Sequence, residues 1–398
     1  MPTNTTATNG KATTRKAIDR TLEHAWIIAD LNCGVLTEDG LEFIANHQYK
    51  AGASTWLDNV LNPIWTQLTE LLPLWLAPNM VTTIGGLHCL ASYLLTWFYA
   101  PNLNTPVPSW VILFNAYCAI TYYTLDCMDG KQARRTKSSS PLGQLFDHGF
   151  DCLCNMSHLS SISASIMIGS SQSMVLVQAS LQFSFFVAQW EEYYTHILPH
   201  ATGNIGVTEV NYGLGLFSLM NVFLDREVLW TTPIMTNINA THILLIGWCG
   251  LTSVLILFSL IRVFQKVQDG RLFCAALAKL LSPLALSLAP FLLPRTIIQS
   301  ETRFLSLAFG FCFSILTIKM IVSSMAKMSY GSLQIDVLPM VVACIWLHWS
   351  GDKYGGLVLR LLSLLYGIRL TWWVSSAIQQ ICQRLDINCF SIKQKKVE

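Results

Sequence analysis

The chain has 398 residues, of which 52% are hydrophobic and only 12% charged, with a formal net charge of +2. Soluble domains carry about 25% charged residues, so this deficit excludes an ordinary water-soluble globule and points to a membrane protein. A balance so near zero gives no basis for nucleic-acid binding, and the twelve cysteines lie scattered through apolar runs without metal-type or secreted-framework spacing.

Residues 1–45 are polar, with Lys11, Arg15, Lys16 and Arg20 but no apolar stretch of the signal-peptide kind. They are expected to form a flexible cytosolic tail. In the region 46–78, Leu57, Val60, Leu61, Ile64, Leu68, Leu71 and Leu72 recur at helical spacing beside Trp56 and Trp65. This pattern predicts an amphipathic helix, either lying in the headgroup plane or packed on other helices of the chain.

Apolar stretches then predict an all-α, polytopic membrane protein with about ten transmembrane helices, each matching a hydrocarbon layer of about 30 Å. They fall near 80–100, 109–128, 145–170, 173–194, 207–224, 241–264, 273–293, 303–324, 334–349 and 356–380. Residues 79–225 form the expected catalytic group, and 226–382 the additional helices, suited to lipid access and dimerisation. No internal repeat is visible, which disfavours transporter folds built from duplicated halves.

Lys131, Arg134, Arg135, Lys137, Arg262, Lys266, Arg271 and Lys327 fall on one side of the membrane if the count of spans is even. The N-terminal basic residues and the tail 383–398 join them, and that side is expected to be cytosolic. The sequon Asn239-Ala240-Thr241 then falls on the lumenal side. The terminal Lys395-Lys396-Val397-Glu398 resembles a dilysine retrieval signal, which implies the endoplasmic reticulum membrane, with Golgi as the alternative, and both termini in the cytosol.

One short stretch carries most of the chemistry. Asp126 and Asp129 stand at i, i+3, and Asp147 and Asp151 at i, i+4, so each pair shares a helix face. A carboxylate at membrane depth costs several kcal/mol unless its charge is offset. Four of them converging across a short loop imply bound cations; hard oxygen ligands suit Mg²⁺ or Mn²⁺, and four acids can hold two ions. Two such ions suit displacement at phosphorus. Gly130 and Gly143 leave room for a nucleotide beside the backbone, Ala133 is small, and Arg134 is a fork-shaped phosphate donor.

The pattern Asp126-x-x-Asp129-Gly130-x-x-Ala133-Arg134, eight residues, Gly143-x-x-x-Asp147-x-x-x-Asp151 is the signature of the CDP-alcohol phosphotransferase family. The stretch DGKQARRTKSSSPLGQLFDHGFD resembles its eukaryotic choline/ethanolamine phosphotransferase branch, as do Pro73 to Asn79, the upstream His47, Tyr49 and Lys50, and the region Ile381 to Phe390. The resemblance covers roughly 40–390. It implies transfer of phosphocholine or phosphoethanolamine from CDP-choline or CDP-ethanolamine to diacylglycerol, releasing CMP.

The resemblance also implies site roles. Asp126, Asp129, Asp147 and Asp151 are the metal ligands, with Asp126, Gly130, Ala133, Arg134, Gly143 and Asn79 at the CDP-alcohol; Asn79 alternatively caps its helix. The catalytic base is read as His148 supported by Glu209, with Asp151 as the alternative, since a metal-bound carboxylate is a weak proton acceptor and imidazole titrates near neutrality. Glu191 and Glu192 read as exposed interface charges, and Lys319 as an intramembrane cation that faces an interior cavity or snorkels to the cytosolic edge, with lipid phosphate as one candidate contact. Trp190, Tyr193, Tyr194, Tyr122 and Tyr123 are candidate faces for a quaternary ammonium, or interfacial belt residues. Homodimerisation is a family expectation. Rival readings are the same signature used on inositol or ceramide, an ion-coupled transporter, and a silent homologue, which would have lost a signature position.

Overall fold

With no water in the bilayer to take up backbone hydrogen bonds, apolar stretches are driven into helices, and the described chain is nearly all-α, 77% helical. A computed structural model describes residues 35–48, 52–199, 201–202, 205–236 and 238–393. The basic residues 11–20, Tyr49, Lys50, Lys395 and Lys396 lie outside the described residues.

The chain begins with α1 (Glu38–Ala45), α2 (Trp56–Glu70), α3 (Pro78–Tyr99), α4 (Ser109–Arg135), α5 (Pro141–Ser165), α6 (Gln172–Thr195), α7 (Val207–Met220) and α8 (Arg226–Thr231). It continues with α9 (Ala240–Val267), α10 (Gly270–Ala278), α11 (Leu281–Leu288), α12 (Arg295–Ser300), α13 (Thr302–Met325), α14 (Leu338–Ser350) and α15 (Gly355–Leu385). Two short antiparallel hairpins pair Ala201–Thr202 with Ile205–Gly206 and Pro233–Met235 with Ile238–Asn239.

Among the described residues six stretches are long and apolar enough to cross a membrane: α3, α4, α9, Gly270–Leu292, α13 and Asp352–Leu385. The chain is therefore a multi-pass membrane protein. Helices α5 and α6 have the length, 25 and 24 residues, but α5 carries the second aspartate pair and α6 four glutamines. Helices α7 and α14, with 14 and 13 residues, are short. Length and composition alone thus support six of the expected ten spans among the described residues.

Helix α13 is the central post. Of its apolar stretch 83% is buried, against 17% for α9, whose Ile246, Leu257 and Phe264 stay exposed as a lipid-facing surface requires. Phe309, Phe313, Leu316 and Met320 of α13 form the core with α5, α6 and α15. Helix α2 forms where its apolar periodicity predicts and starts in a capping box between Thr55 and Asp58. One side seats Trp65 on Tyr212 of α7, with a 2.8 Å hydrogen bond; Trp56, Val60 and Ile64 remain exposed on the other.

Several acids away from the aspartate stretch are paired with basic side chains. Lys319 of α13 meets Asp336, not a lipid phosphate, and Arg369 Nε reaches the same carboxylate at 3.1 Å. Arg360 joins Glu301 at 3.0 Å. Glu191 and Glu192 are buried rather than exposed: Arg262 grips Glu191 through two bonds of 2.5 and 2.8 Å. Trp190 is wholly buried and donates to the Ala276 carbonyl, so it is neither a belt residue nor an open face.

Helices α3, α4 and α5 meet along Gly85 and Gly86. A Cβ on Gly86 would stand 2.3 Å from the Phe150 ring of α5, and one on Gly85 would stand 3.2 Å from Tyr122 of α4. The bare backbone lets α3 lie against both helices that carry the aspartates. Gly86→Ala is expected to lower stability by about 1–3 kcal/mol through overpacking. Thermal melts of the purified protein in detergent would show it, and Phe150→Leu in the same chain should recover part of the loss.

Candidate active site

The signature is helical almost throughout. Helix α4 does not stop near 128 but runs to Arg135, because its last turns are fastened to the segment before α3. Gln132 Nε2 donates to the carbonyls of Pro73 and Leu76 at 2.9 and 3.0 Å, and Arg135 Nη1 donates to that of Leu72 at 2.7 Å. Lys131 bonds Asn62 and Thr66 of α2. Lys131, Arg134 and Arg135 thus belong to a helix rather than a loop. A left-handed Lys137 helps turn the chain, and Pro141 starts α5 at a position where its missing N–H is harmless.

This brings three carboxylates together. Asp126, Asp129 and Asp147 each offer an oxygen, and those oxygens lie within 4.8 Å of one another. Asp129 is buried and accepts from the Thr82 hydroxyl of α3. Among the described residues, Asp126 Oδ1 and Asp147 Oδ1 are buried and have no hydrogen-bond partner. Asp151 stands outside the group of three: the Tyr122 hydroxyl donates to its Oδ1 at 2.7 Å. Tyr122 is therefore a site residue rather than an open aromatic face.

The cluster fits a divalent cation. Among the described residues no lysine or arginine is within ion-pair distance of these acids, although the chain pairs Glu191, Glu301 and Asp336 with cations. Orphaned, buried carboxylate oxygens carry a desolvation cost of several kcal/mol that hard cations offset.

His148 is buried, with Nε2 3.8 Å from Asp147 Oδ2. Gly143 lies in the first turn of α5, and a Cβ there would meet nothing within 4 Å; on Gly130 it would meet only Arg134 Nη1, at 3.6 Å. Ala133 is half-buried and Arg134 exposed, so this flank of the carboxylates is open.

Two expected residues are engaged elsewhere. Glu209 accepts from the Gly206 backbone N–H at 2.8 Å through Oε2 and so caps α7. Asn79 does not cap α3, whose first flanking residue is Ala77; its Nδ2 donates to the Cys389 carbonyl at 2.9 Å. Thr82 escaped the sequence reading, though it lies one turn after Asn79 on the same face. So did a buried chain beside the site, from His47 Nε2 to Gln144 Oε1 at 2.8 Å and from Gln144 Nε2 to Glu192 Oε1 at 3.0 Å.

Residues 75–235 match the family described as CDP-alcohol phosphatidyltransferase. Cholinephosphotransferase 1 of Xenopus laevis is 31% identical over 307 residues, covering 73% of this chain and 74% of the relative. Choline/ethanolaminephosphotransferase 2 of Arabidopsis thaliana is 38% identical over 177 residues, covering 44% of this chain and 45% of the relative. An uncharacterized CDP-alcohol phosphatidyltransferase class-I family protein of Dictyostelium discoideum is 25% identical over 367 residues, covering 89% of this chain and 94% of the relative.

The fold and site are thus those of a membrane-embedded transferase of phospholipid biosynthesis. The chain belongs to the CDP-alcohol phosphotransferase family.

A cation that binds only the folded site stabilises it, by about 2.7 kcal/mol at one hundred times its dissociation constant. Mg²⁺ or Mn²⁺ is therefore expected to raise the melting temperature of the wild type and to leave that of Asp147→Asn unchanged. Equal shifts in both proteins would reject the cluster as the site.

Proposed function

We propose that this protein transfers phosphocholine or phosphoethanolamine from a CDP-alcohol to diacylglycerol, forming phosphatidylcholine or phosphatidylethanolamine and releasing CMP. The observation that carries this reading is the set of three converging carboxylates without a protein cation, flanked by open backbone at Gly130 and Gly143. The names of the Xenopus and Arabidopsis relatives support the choice of alcohol.

In this reading Asp126, Asp129 and Asp147 hold Mg²⁺ or Mn²⁺, with Asp151 at the edge of the site. A divalent cation held by these carboxylates would supply charge neutralisation for the phosphoryl oxygens and the leaving phosphate. Arg134 is placed to draw the nucleotide phosphates toward the open flank. The acceptor hydroxyl oxygen bonds to the phosphorus that bears the choline or ethanolamine. The bond from that phosphorus to the bridging oxygen breaks, and CMP leaves with its electron pair.

The hydroxyl proton goes to His148. Asp151, the alternative acceptor, already takes a hydrogen bond from the Tyr122 hydroxyl at 2.7 Å on its Oδ1, whereas imidazole titrates near neutral pH. A lipid acceptor reaches such a site laterally from the bilayer, while the polar donor enters from water. The exposed apolar edge of α2 suits a position in the headgroup layer. We place the protein in the endoplasmic reticulum membrane with this mouth facing the cytosol, where positive-inside counting puts it. An ion-coupled transporter fits less well, since Asp336, Glu301 and Glu191 are already neutralised by ion pairs.

The test uses purified protein in bilayer discs containing diacylglycerol, supplied in turn with CDP-choline and CDP-ethanolamine. CMP and the matching phospholipid should appear together, and a chelator should stop both. His148→Ala is expected to lower kcat by about 10²–10⁴-fold, the usual share of general-base catalysis. Near-normal turnover in that variant would move the proton to Asp151, and full turnover in Asp129→Asn would reject the metal reading.

A further inference from the structure

After α15 the chain turns at Asp386, which adopts a left-handed backbone, and doubles back across the end of the bundle that carries the carboxylates. Ile387 and Cys389 pack on the core, the Ile387 N–H returns to the Cys382 carbonyl at 3.1 Å, and Lys393 Nζ meets Asp386 Oδ1 at 2.5 Å. This segment touches the catalytic helices at two places. Asn79 Nδ2 of α3 donates to the Cys389 carbonyl at 2.9 Å, and the Phe390 ring stands edge-on to Phe146 of α5, with centroids 5.6 Å apart.

Both places are informative. Asn79 lies one turn before Thr82, which holds Asp129, and Phe146 immediately precedes Asp147. Phe146 also leans on Phe150 at 5.1 Å, the ring that fills the space left by Gly86 of α3. The tail therefore closes the seam between α3 and α5 at its upper end. The width of that seam sets how far Asp129, tethered to α3, lies from Asp147 on α5.

We propose that residues 386–393 form a strap that holds α3 and α5 in register and thereby fixes the spacing of the carboxylates. Phe390 and Asn79 are positioning residues: neither touches the reacting atoms, and both act on the distance between cation ligands. The cation arm of this proposal stands on geometry alone, and only its kinetic arm rests on the phosphotransferase reading above.

The test titrates Mn²⁺ into the full-length protein, reading free Mn²⁺ by electron paramagnetic resonance, with the KM for the CDP-alcohol measured in parallel. Phe390→Ala and Asn79→Ala should each weaken Mn²⁺ binding about tenfold, the scale on which outer partners of metal ligands act. Their melting temperatures in chelator should match the wild type. At saturating Mn²⁺, KM should remain raised and kcat recover, and Phe390→Tyr, which keeps the ring, should bind Mn²⁺ as the wild type does. Wild-type affinity in both alanine variants, or an equal loss in Phe390→Tyr, would overturn the strap. Absence of CMP release from the wild type would sink the phosphotransferase reading instead, while the Mn²⁺ arm still decides the strap.

Discussion

Charge left without a partner inside an apolar bundle is the constraint around which this molecule is arranged. Elsewhere the chain pairs several of its acids with its own cations, although the buried Glu192 is held by the Gln144 amide instead. Arg262 holds Glu191, Arg360 holds Glu301, and Lys319 with Arg369 shares Asp336. At the end of α4 and the start of α5 it does not. Asp126 and Asp147 keep orphaned oxygens there among the described residues. Burial without a partner destabilises the apo protein, so the arrangement makes physical sense when the counter-charge arrives from outside. That is a property of a site, not of a scaffold.

The surrounding structure holds these acids at fixed distance despite their repulsion. Gln132 and Arg135 fasten the end of α4 to backbone carbonyls, so the helix cannot unwind away from the loop. Thr82 steadies Asp129 from α3, and Tyr122 draws Asp151 aside. Gly85 and Gly86 let α3 approach both neighbours closely enough for these bonds to form. These devices lie on α3 and α4 and act on acids carried by α4 and α5, which is why a site made from one short stretch of sequence draws on its neighbouring helices for support.

Much of this was legible beforehand, for identifiable reasons. The paired spacings of Asp126 with Asp129 and of Asp147 with Asp151 are helical periodicities, and the helices exist as those spacings require. The apolar stretches of α3, α9, α13 and α15 were plain because composition alone carries them. What stayed hidden depends on long-range partners. Glu192 looks like a surface charge until Gln144 is seen to hold it, and Asn79 looks like a cap until Cys389, some three hundred residues away, takes its amide. Glu209 looked catalytic because it is acidic and near the expected mouth, yet its own helix start claims it through a purely local bond. Helices α5 and α6 defeat hydropathy for a related reason: their polar residues face protein interior, and a composition count cannot see direction.

The same distinction bears on how the two halves of the chain divide their work. Motif residues lie between Asn79 and Asp151, yet the most buried helix is α13, well outside that stretch, and it packs against α5 and α6 directly. Its Arg303 donates to the Ser160 hydroxyl of α5 at 2.5 Å and to the Ala100 carbonyl at 2.8 Å, tying α5 to the end of α3 that lies away from the carboxylates. Helices α3 and α5 are thus pinned to each other at the lower end by a charged side chain from α13 and at the upper end by the segment following α15. A pair of helices fixed at both ends can keep three like charges within reach of one another. The second half of the chain is therefore part of the site's electrostatics, although it contributes no carboxylate to it.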